Sequence, residues 1–186
     1  MVVIHDTRSA LEVTVAVVNS LPSSSSEGLD TLTTIEDLTE FLTYFPYTGR
    51  LTLDEDELAG LRAVRPRLAQ LWDVDRDGAV PLVNAMLSDG AALPQLAIHD
   101  GYDWHVHATS DDAELATRIM VETAMAFVDI IRSDEYQRVR RCEADDCESV
   151  YIDYSRNGSK RYCDEGNCGN RMNVNAYRAR KAAETL

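Results

Sequence analysis

Apolar positions recur at helical spacing through most of the first 131 residues. Between Asp6 and Ser20 two periods compete: Leu11, Val13, Val15 and Val17 alternate as in a strand, whereas Leu11, Val15 and Val18 share one face of a helix. Asp6 and Thr7 are good N-caps, which favours the helix. Pro22 and the tract Ser23 to Gly28 end it, and that tract reads as a mobile surface loop with nothing to bury. Thr33-x-x-Glu36 has the form of a capping box for a helix through Tyr44 that buries Leu38, Phe41, Leu42 and Phe45. Asp54-x-x-Glu57 caps another, with Leu58, Leu61, Val64, Leu68 and Leu71 beneath it; Pro66 inside the pattern predicts a kink or break near residues 62–65. A short helix is expected over Leu82 to Leu87, stopped by Ser88-Asp89-Gly90. The best amphipathic pattern follows Ser110, with Asp111 and Asp112 in its first turn and Leu115, Ile119, Met120, Phe127, Ile130 and Ile131 on its apolar side. This is the expected central packing helix of the body.

A hairpin is predicted between these helices, from Gln95 to Ile98 and Trp104 to Ala108, turning at Asp100-Gly101-Tyr102-Asp103. With His99 opposite His105, the residues Leu96, Ile98, Val106 and Ala108 form a buried stripe. His99, His105 and His107 then gather on the other face, where solvation is the simple reading and a second metal site the alternative. Asp73-x-Asp75-x-Asp77-Gly78 matches the first half of an EF-hand calcium loop. Its second half fails, since Asn84 stands where a bidentate Glu belongs and Pro81 occupies position 9. An acidic turn before a helix explains the same residues.

Charge divides the chain unevenly. Of a net −14, residues 1–131 hold 7 Arg and no Lys against 22 acidic residues, a balance of −15, and residues 132–186 hold 11 basic against 10 acidic, or +1. Residues 156–181 alone hold 7 basic against 2 acidic, or +5. An acidic body of this kind excludes coating of nucleic acid or anionic membrane by the whole surface, and leaves the tail as the place for such contact. At 186 residues, 45% of them apolar, the chain can build one medium core and a small satellite module.

All four cysteines lie in that tail, as Cys142-x4-Cys147 and Cys163-x4-Cys168. Two close pairs from two short loops are how a tetrahedral Zn2+ site collects four thiolates, so one structural zinc per chain is expected. The alternative, disulfides or free thiols, needs for its disulfides an oxidising compartment and normally a secretory signal. Met1-Val2-Val3-Ile4-His5-Asp6 does not begin such a signal, and no apolar run approaches a membrane span, which makes the cytoplasm the expected location.

After Cys147 the strand-like run Val150 to Tyr154, the turn residues Asn157-Gly158 and the segment Lys160-Arg161-Tyr162 predict a hairpin that returns the chain to Cys163. A helix then follows Cys168. Met172, Ala176 and Ala179 form the face expected to pack on the knuckles and hairpin; Arg171, Asn175 and Arg178 form another, with Arg180 and Lys181 beside them. Cys168-Gly169-Asn170-Arg171, preceded by Ser155 to Cys163 and followed by Ala176-Tyr177-Arg178-Ala179-Arg180, closely resembles the CGNR zinc-finger family over about the last 45 residues. In that family the finger follows an N-terminal ABATE domain associated with stress-induced transcription regulation. The order of segments, with an Asp-rich, Trp-bearing stretch before the long helix, is similar here. The resemblance implies zinc ligation by Cys142, Cys147, Cys163 and Cys168, and DNA contact at Arg156, Lys160, Arg161, Arg171, Asn175, Arg178, Arg180 and Lys181. Asp164 and Glu165, inside the second knuckle, depart from the commoner pattern.

The expected architecture is a mainly α body with one small β-hairpin (residues 1–135), an α+β arrangement, followed by a treble-clef-like four-cysteine finger (residues 136–186). The expected function is that of a bacterial transcription regulator that binds duplex DNA, with a homodimer as a candidate assembly. The expectation is that it is not an enzyme, because no nucleophile, base and orienting group are identifiable as a set. The alternative is a zinc-stabilised protein-interaction adaptor. Arg138, Arg140, Arg141 and Arg161 flank the ligands in sequence and can offset a four-thiolate site charge near −2.

Overall fold

The structure is a computed structural model that describes residues 5–25, 28–98 and 103–183. The helices are α1 (His5–Asn19), α2 (Ile35–Tyr44), α3 (Glu55–Ala69), α4 (Arg76–Asp89), α5 (Leu115–Arg132) and α6 (Cys168–Ala183). Among the described residues, two antiparallel pairs join these helices: β1 (Gln95–Ala97) with β2 (His105–His107), and β3 (Val139–Arg141) with β4 (Val150–Ile152). The protein is mainly α with two small hairpins. The helical reading of α1 holds, and Leu11, Thr14 and Val18 are buried at helical spacing. Thr14 bonds across to Thr123 of α5 at 2.7 Å. The helix α5 is the centre of the body and packs on α1, α3 and α4.

Several local expectations are corrected. The capping box of α2 lies one residue later, as Thr34 and Asp37: the Thr34 side chain accepts from Asp37 N at 3.1 Å, and the Asp37 carboxylate accepts from the backbone of Thr33 and Thr34. The cap of α3 is at Asp54 as expected, but the helix runs through Pro66 without a break. Pro66 leaves the Arg62 carbonyl without its usual N–H, and Arg65 Nε donates to that oxygen instead at 3.4 Å. α4 begins at Arg76, well before Leu82, because Asp75 caps it by accepting from Gly78 N at 2.8 Å. Gly78 and Pro81 are therefore helical and no calcium loop forms; Asp73 instead holds Arg141 at 2.5 Å. α5 starts at Leu115, leaving Asp111 and Asp112 in the preceding turn. In the serine tract, residues 21–25 form hydrogen-bonded turns and bury Ser24; Ser26 and Glu27 lie outside the described residues.

The first hairpin forms with a different register and the opposite face inward. Ala97, not His99, lies opposite His105, and Leu96 faces Val106. Leu96 (68% exposed), Ile98 and Trp104 point to solvent, and only Ala108 of the expected stripe is buried. His105 and His107 are the half-buried pair. His99 and the turn residues Asp100 to Tyr102 lie outside the described residues.

In the tail, β4 pairs back onto β3 across the first knuckle, not forward onto residues 160–162. The Asn157-Gly158 turn is present, with Gly158 at φ +62°, a conformation glycine adopts freely. The N–H groups that would build the expected ladder go instead to the buried Asp153 carboxylate, which accepts from Ser155 N and Lys160 N at 2.8 and 2.9 Å. Those bonds hold the Asp153 carboxyl below the ordinary carboxylate range, although burial pushes it up.

The tail's hairpin is attached to the body's core. Val150 and Ile152 are buried in the same apolar cluster as Leu11, Phe127 and Tyr136. At the end of α1, the Asn19 side chain pairs with both backbone groups of Val150, accepting from its N at 2.8 Å and donating to its O at 3.0 Å. Trp72 Nε1 donates to Tyr151 O at 3.3 Å and Tyr136 Oη to Leu71 O at 2.5 Å. Asn19→Leu strands two buried backbone groups at once. It is expected to destabilise the protein by about 2–4 kcal/mol in denaturant melts, more than a lone surface amide would.

Candidate metal centre and the helix beside it

Cys142 leaves the end of β3, and the chain turns sharply enough for its N–H to donate to Ser149 O at 2.8 Å as β4 begins. Cys147 N donates to Ala144 O at 3.1 Å inside that turn. Cys163 follows the Asp153-bound loop, and Cys168 opens α6, whose first bond runs from Arg171 N to Asn167 O at 3.1 Å. Asn167 takes φ +51°, a left-handed position that asparagine tolerates. All four thiols are buried, and their sulfurs lie within 4.8 Å of one another. Cys147 and Cys163, and Cys163 and Cys168, are each 3.7 Å apart. A metal at about 2.3 Å from each of four tetrahedral sulfurs requires edges of about 3.8 Å, so the donor set has the right size and chemistry. A disulfide brings its sulfurs to about 2.05 Å; none is formed here.

The surroundings stabilise thiolates. Ser149 Oγ lies 3.3 Å from Cys147 Sγ, Cys163 N donates to Cys142 Sγ at 3.4 Å, and Arg171 Nη2 donates to Cys168 Sγ at 3.2 Å. Burial works against the Cys147 thiolate, but the Ser149 hydroxyl and N–H outweigh it and hold this thiol below its ordinary pKa. Burial pushes the Cys163 thiol up to about 12 and raises that of Cys168 as well, with Arg171 pulling the latter back. Metal binding at this set therefore displaces protons that the apolar surroundings would otherwise retain. Around the sulfurs, Ala144, Tyr151, Tyr162 and Met172 make a small apolar cluster of their own.

The basic residues of the tail fall into two groups. Arg171 also clamps Asp146 of the first knuckle with two bonds of 2.8 and 2.9 Å, so it ties the start of α6 to the opposite loop. Lys160 pairs with Asp164 at 2.5 Å and Arg161 with Glu143 at 2.6 Å. Arg138 donates to Glu135 and to the carbonyls of Asp153 and Ser155, Arg140 to those of Gln137 and Lys160, and Arg141 to that of Glu148. These arginines staple loops. Arg156, Asn175, Arg178 and Arg180, by contrast, are exposed and have no hydrogen-bond or ion-pair partner among the described residues. Lys181 is exposed as well. Arg180 stands about 200° around the helix from Arg178, on its other side, whereas Arg178 and Lys181 are three residues apart and adjoin.

Among the described residues, α6 is buried only over its first turn. Met172 packs on the finger as expected, but Ala176 and Ala179 are exposed, as are Val174 (43%) and Tyr177 (58%). From Asn173 onward every described residue of α6 is exposed. Ser149 and Asp146 are the participants that the sequence did not single out, and neither carries a signal beyond its closeness to Cys147. Because Arg171 donates directly to a ligand sulfur, Arg171→Ala is expected to weaken metal binding about 10–100-fold in a chelator competition, while Arg178→Ala leaves it unchanged.

A helical body joined to a buried four-thiolate centre, with a bare helix leaving the last ligand, defines a metal-stabilised finger protein. The chain belongs to the ABATE family, described as "Putative stress-induced transcription regulator", which matches residues 12–134. The CGNR zinc finger matches residues 138–181. No curated protein matches the chain. Among the described residues no helix is long and apolar enough to cross a membrane.

Proposed function

We propose that the protein is a cytoplasmic transcription regulator of a bacterium, and that it binds duplex DNA by laying the exposed length of α6 against it. The metal is Zn2+, one per chain. Four thiolates close its coordination sphere, so its role is structural and not catalytic. The observation that carries the reading is the bare helix. A helix of 16 residues with one anchored turn gains little from tertiary packing, and such segments acquire their stability from what they bind. Its exposed side offers Asn175, Arg178 and Lys181 together, side chains suited to phosphates and to the base edges of a major groove wide enough to admit a helix. Arg156, in the turn after β4, is a further exposed cation of the tail.

The acidic body limits how DNA can approach. With −15 over residues 1–131, it repels a duplex everywhere except at the tail, so contact is confined to the finger and non-specific affinity is low. A homodimer placing two such helices on two half-sites supplies the affinity that one helix lacks. The alternative, an adaptor whose α6 docks on a protein, draws on the same bare helix, with Val174 and Tyr177 as its apolar contacts. Fluorescence anisotropy of labelled duplex with zinc-loaded protein separates them. The DNA reading expects binding whose log affinity falls linearly with log salt and disappears when zinc is removed. No binding at low salt would favour the adaptor.

A further inference from the structure

His105 and His107 stand two residues apart on β2, so both rings leave the same face of the hairpin. That is the half-buried face, because the opposite one carries the exposed Leu96, Trp104 and Val106. The two Nε2 atoms converge to 2.9 Å, with the ring centroids 4.8 Å apart. His105 Nδ1 lies 2.8 Å from the Asp103 carbonyl oxygen. A carbonyl can only accept, so Nδ1 of His105 carries its proton and Nε2 accepts the hydrogen bond that His107 Nε2 donates, a shared proton that a cation held by both nitrogens would replace. Fixing the tautomer through a backbone carbonyl on the remote nitrogen is the arrangement found behind metal-binding imidazoles. Two nitrogens held at about 2.0–2.1 Å from one ion stand about 2.9–3.4 Å apart for angles between square and tetrahedral, which includes the observed separation.

A compensating charge is available from α5. Glu122 lies within electrostatic reach of His105 and accepts a 2.8 Å bond from Tyr47 Oη. Burial raises the Glu122 carboxyl, and the Tyr47 hydroxyl, Arg118 and His105 pull it back. The neighbouring Arg118 donates its hydrogen bonds to the carbonyls of Thr48, Arg50 and Ala113. None of these residues belongs to the finger.

We propose that His105 and His107 form a second metal site, on the body, for a late first-row divalent cation such as Ni2+, Cu2+ or Zn2+. Imidazole nitrogen selects this class over Mg2+ and Ca2+, which prefer oxygen. The half-buried position leaves water to complete the coordination, so the ion is exchangeable where the finger's is closed. A regulator built this way carries one structural metal and one that can report its availability.

The test is calorimetric titration of NiCl2 into tag-free, zinc-loaded full-length protein, with zinc content measured before and after. One equivalent of nickel in the micromolar range is expected beyond the retained zinc. His105→Gln and His107→Gln should each weaken it by at least about tenfold, since removing a ligand costs no less than removing its supporting bond. His5→Gln should leave it unchanged. In the unaltered protein, paramagnetic Ni2+ should selectively broaden the ring signals of His105 and His107, a readout that does not depend on any variant folding. Absence of nickel uptake beyond displaced zinc, or uptake that persists in both histidine variants, overturns the proposal.

Discussion

Replacing Cys163 by Ser is expected to abolish stoichiometric zinc and to unfold the two knuckles and α6, while α1 to α5 and β4, which the body holds, stay folded. The finger's own apolar cluster consists of the cysteines with Ala144, Tyr151, Tyr162 and Met172, too little to hold it without a metal. Zinc supplies such modules with an apparent 10–16 kcal/mol, about the whole stability of a small domain, so losing a ligand has the largest effect of any single change here. The body does not depend on it in the same way. Its core runs from Leu11 to Ile130 and includes Val150 and Ile152 of β4, which Asn19 and Trp72 hold from the body side. The far-ultraviolet helical signal should fall by the share of α6, 16 residues, with a cooperative melt remaining for the rest. Loss of the entire helical signal would show that finger and body fold as one unit.

Changing Arg178 and Lys181 together to Ala is expected to weaken duplex binding roughly tenfold or more and to lower the salt slope by about two units, one for each lost phosphate contact. Both residues lie beyond the first turn of α6, away from the sulfurs, so zinc content should not change. Arg180→Ala, on the other side of the helix, should cost much less, which distinguishes one contacting face from the general attraction of a basic segment. Unaltered affinity and slope in the double variant would remove α6 as the reading element and favour the protein-interaction alternative.

The metal centre was legible in the sequence because ligand chemistry is local. Two cysteine pairs declare themselves whatever the rest of the chain does, and the structure brings all four sulfurs together. The long helices were legible for a similar reason, since Leu58, Leu61 and Leu68, or Ile119, Phe127 and Ile130, mark a buried stripe by spacing alone. What escaped was decided by partners distant in sequence. Val139-Arg140-Arg141 carries no strand signature, yet it pairs with β4 because body contacts bury Val150 and Ile152. Asn157-Gly158 signals a hairpin, but Asp153 takes the N–H groups that a ladder would have used. The hairpin's histidines lie on its half-buried face, where His105 acts on the Glu122 carboxyl of α5, a choice that strand alternation cannot reveal. Arg171 and Arg178 look equivalent on a helical wheel, and only the contact with Asp146 and Cys168 separates a residue of the finger from a residue free to bind.

The central claim is that α6 is the surface DNA meets, and hydrogen exchange along that helix tests it most directly. In the free zinc-loaded protein, amides from Asn173 onward should exchange quickly, because every described residue there is exposed. Adding duplex DNA at low salt should slow exchange across Asn175 to Lys181 and leave α1 to α5 as they were. Protection that appears on the body while α6 stays unprotected would contradict the account.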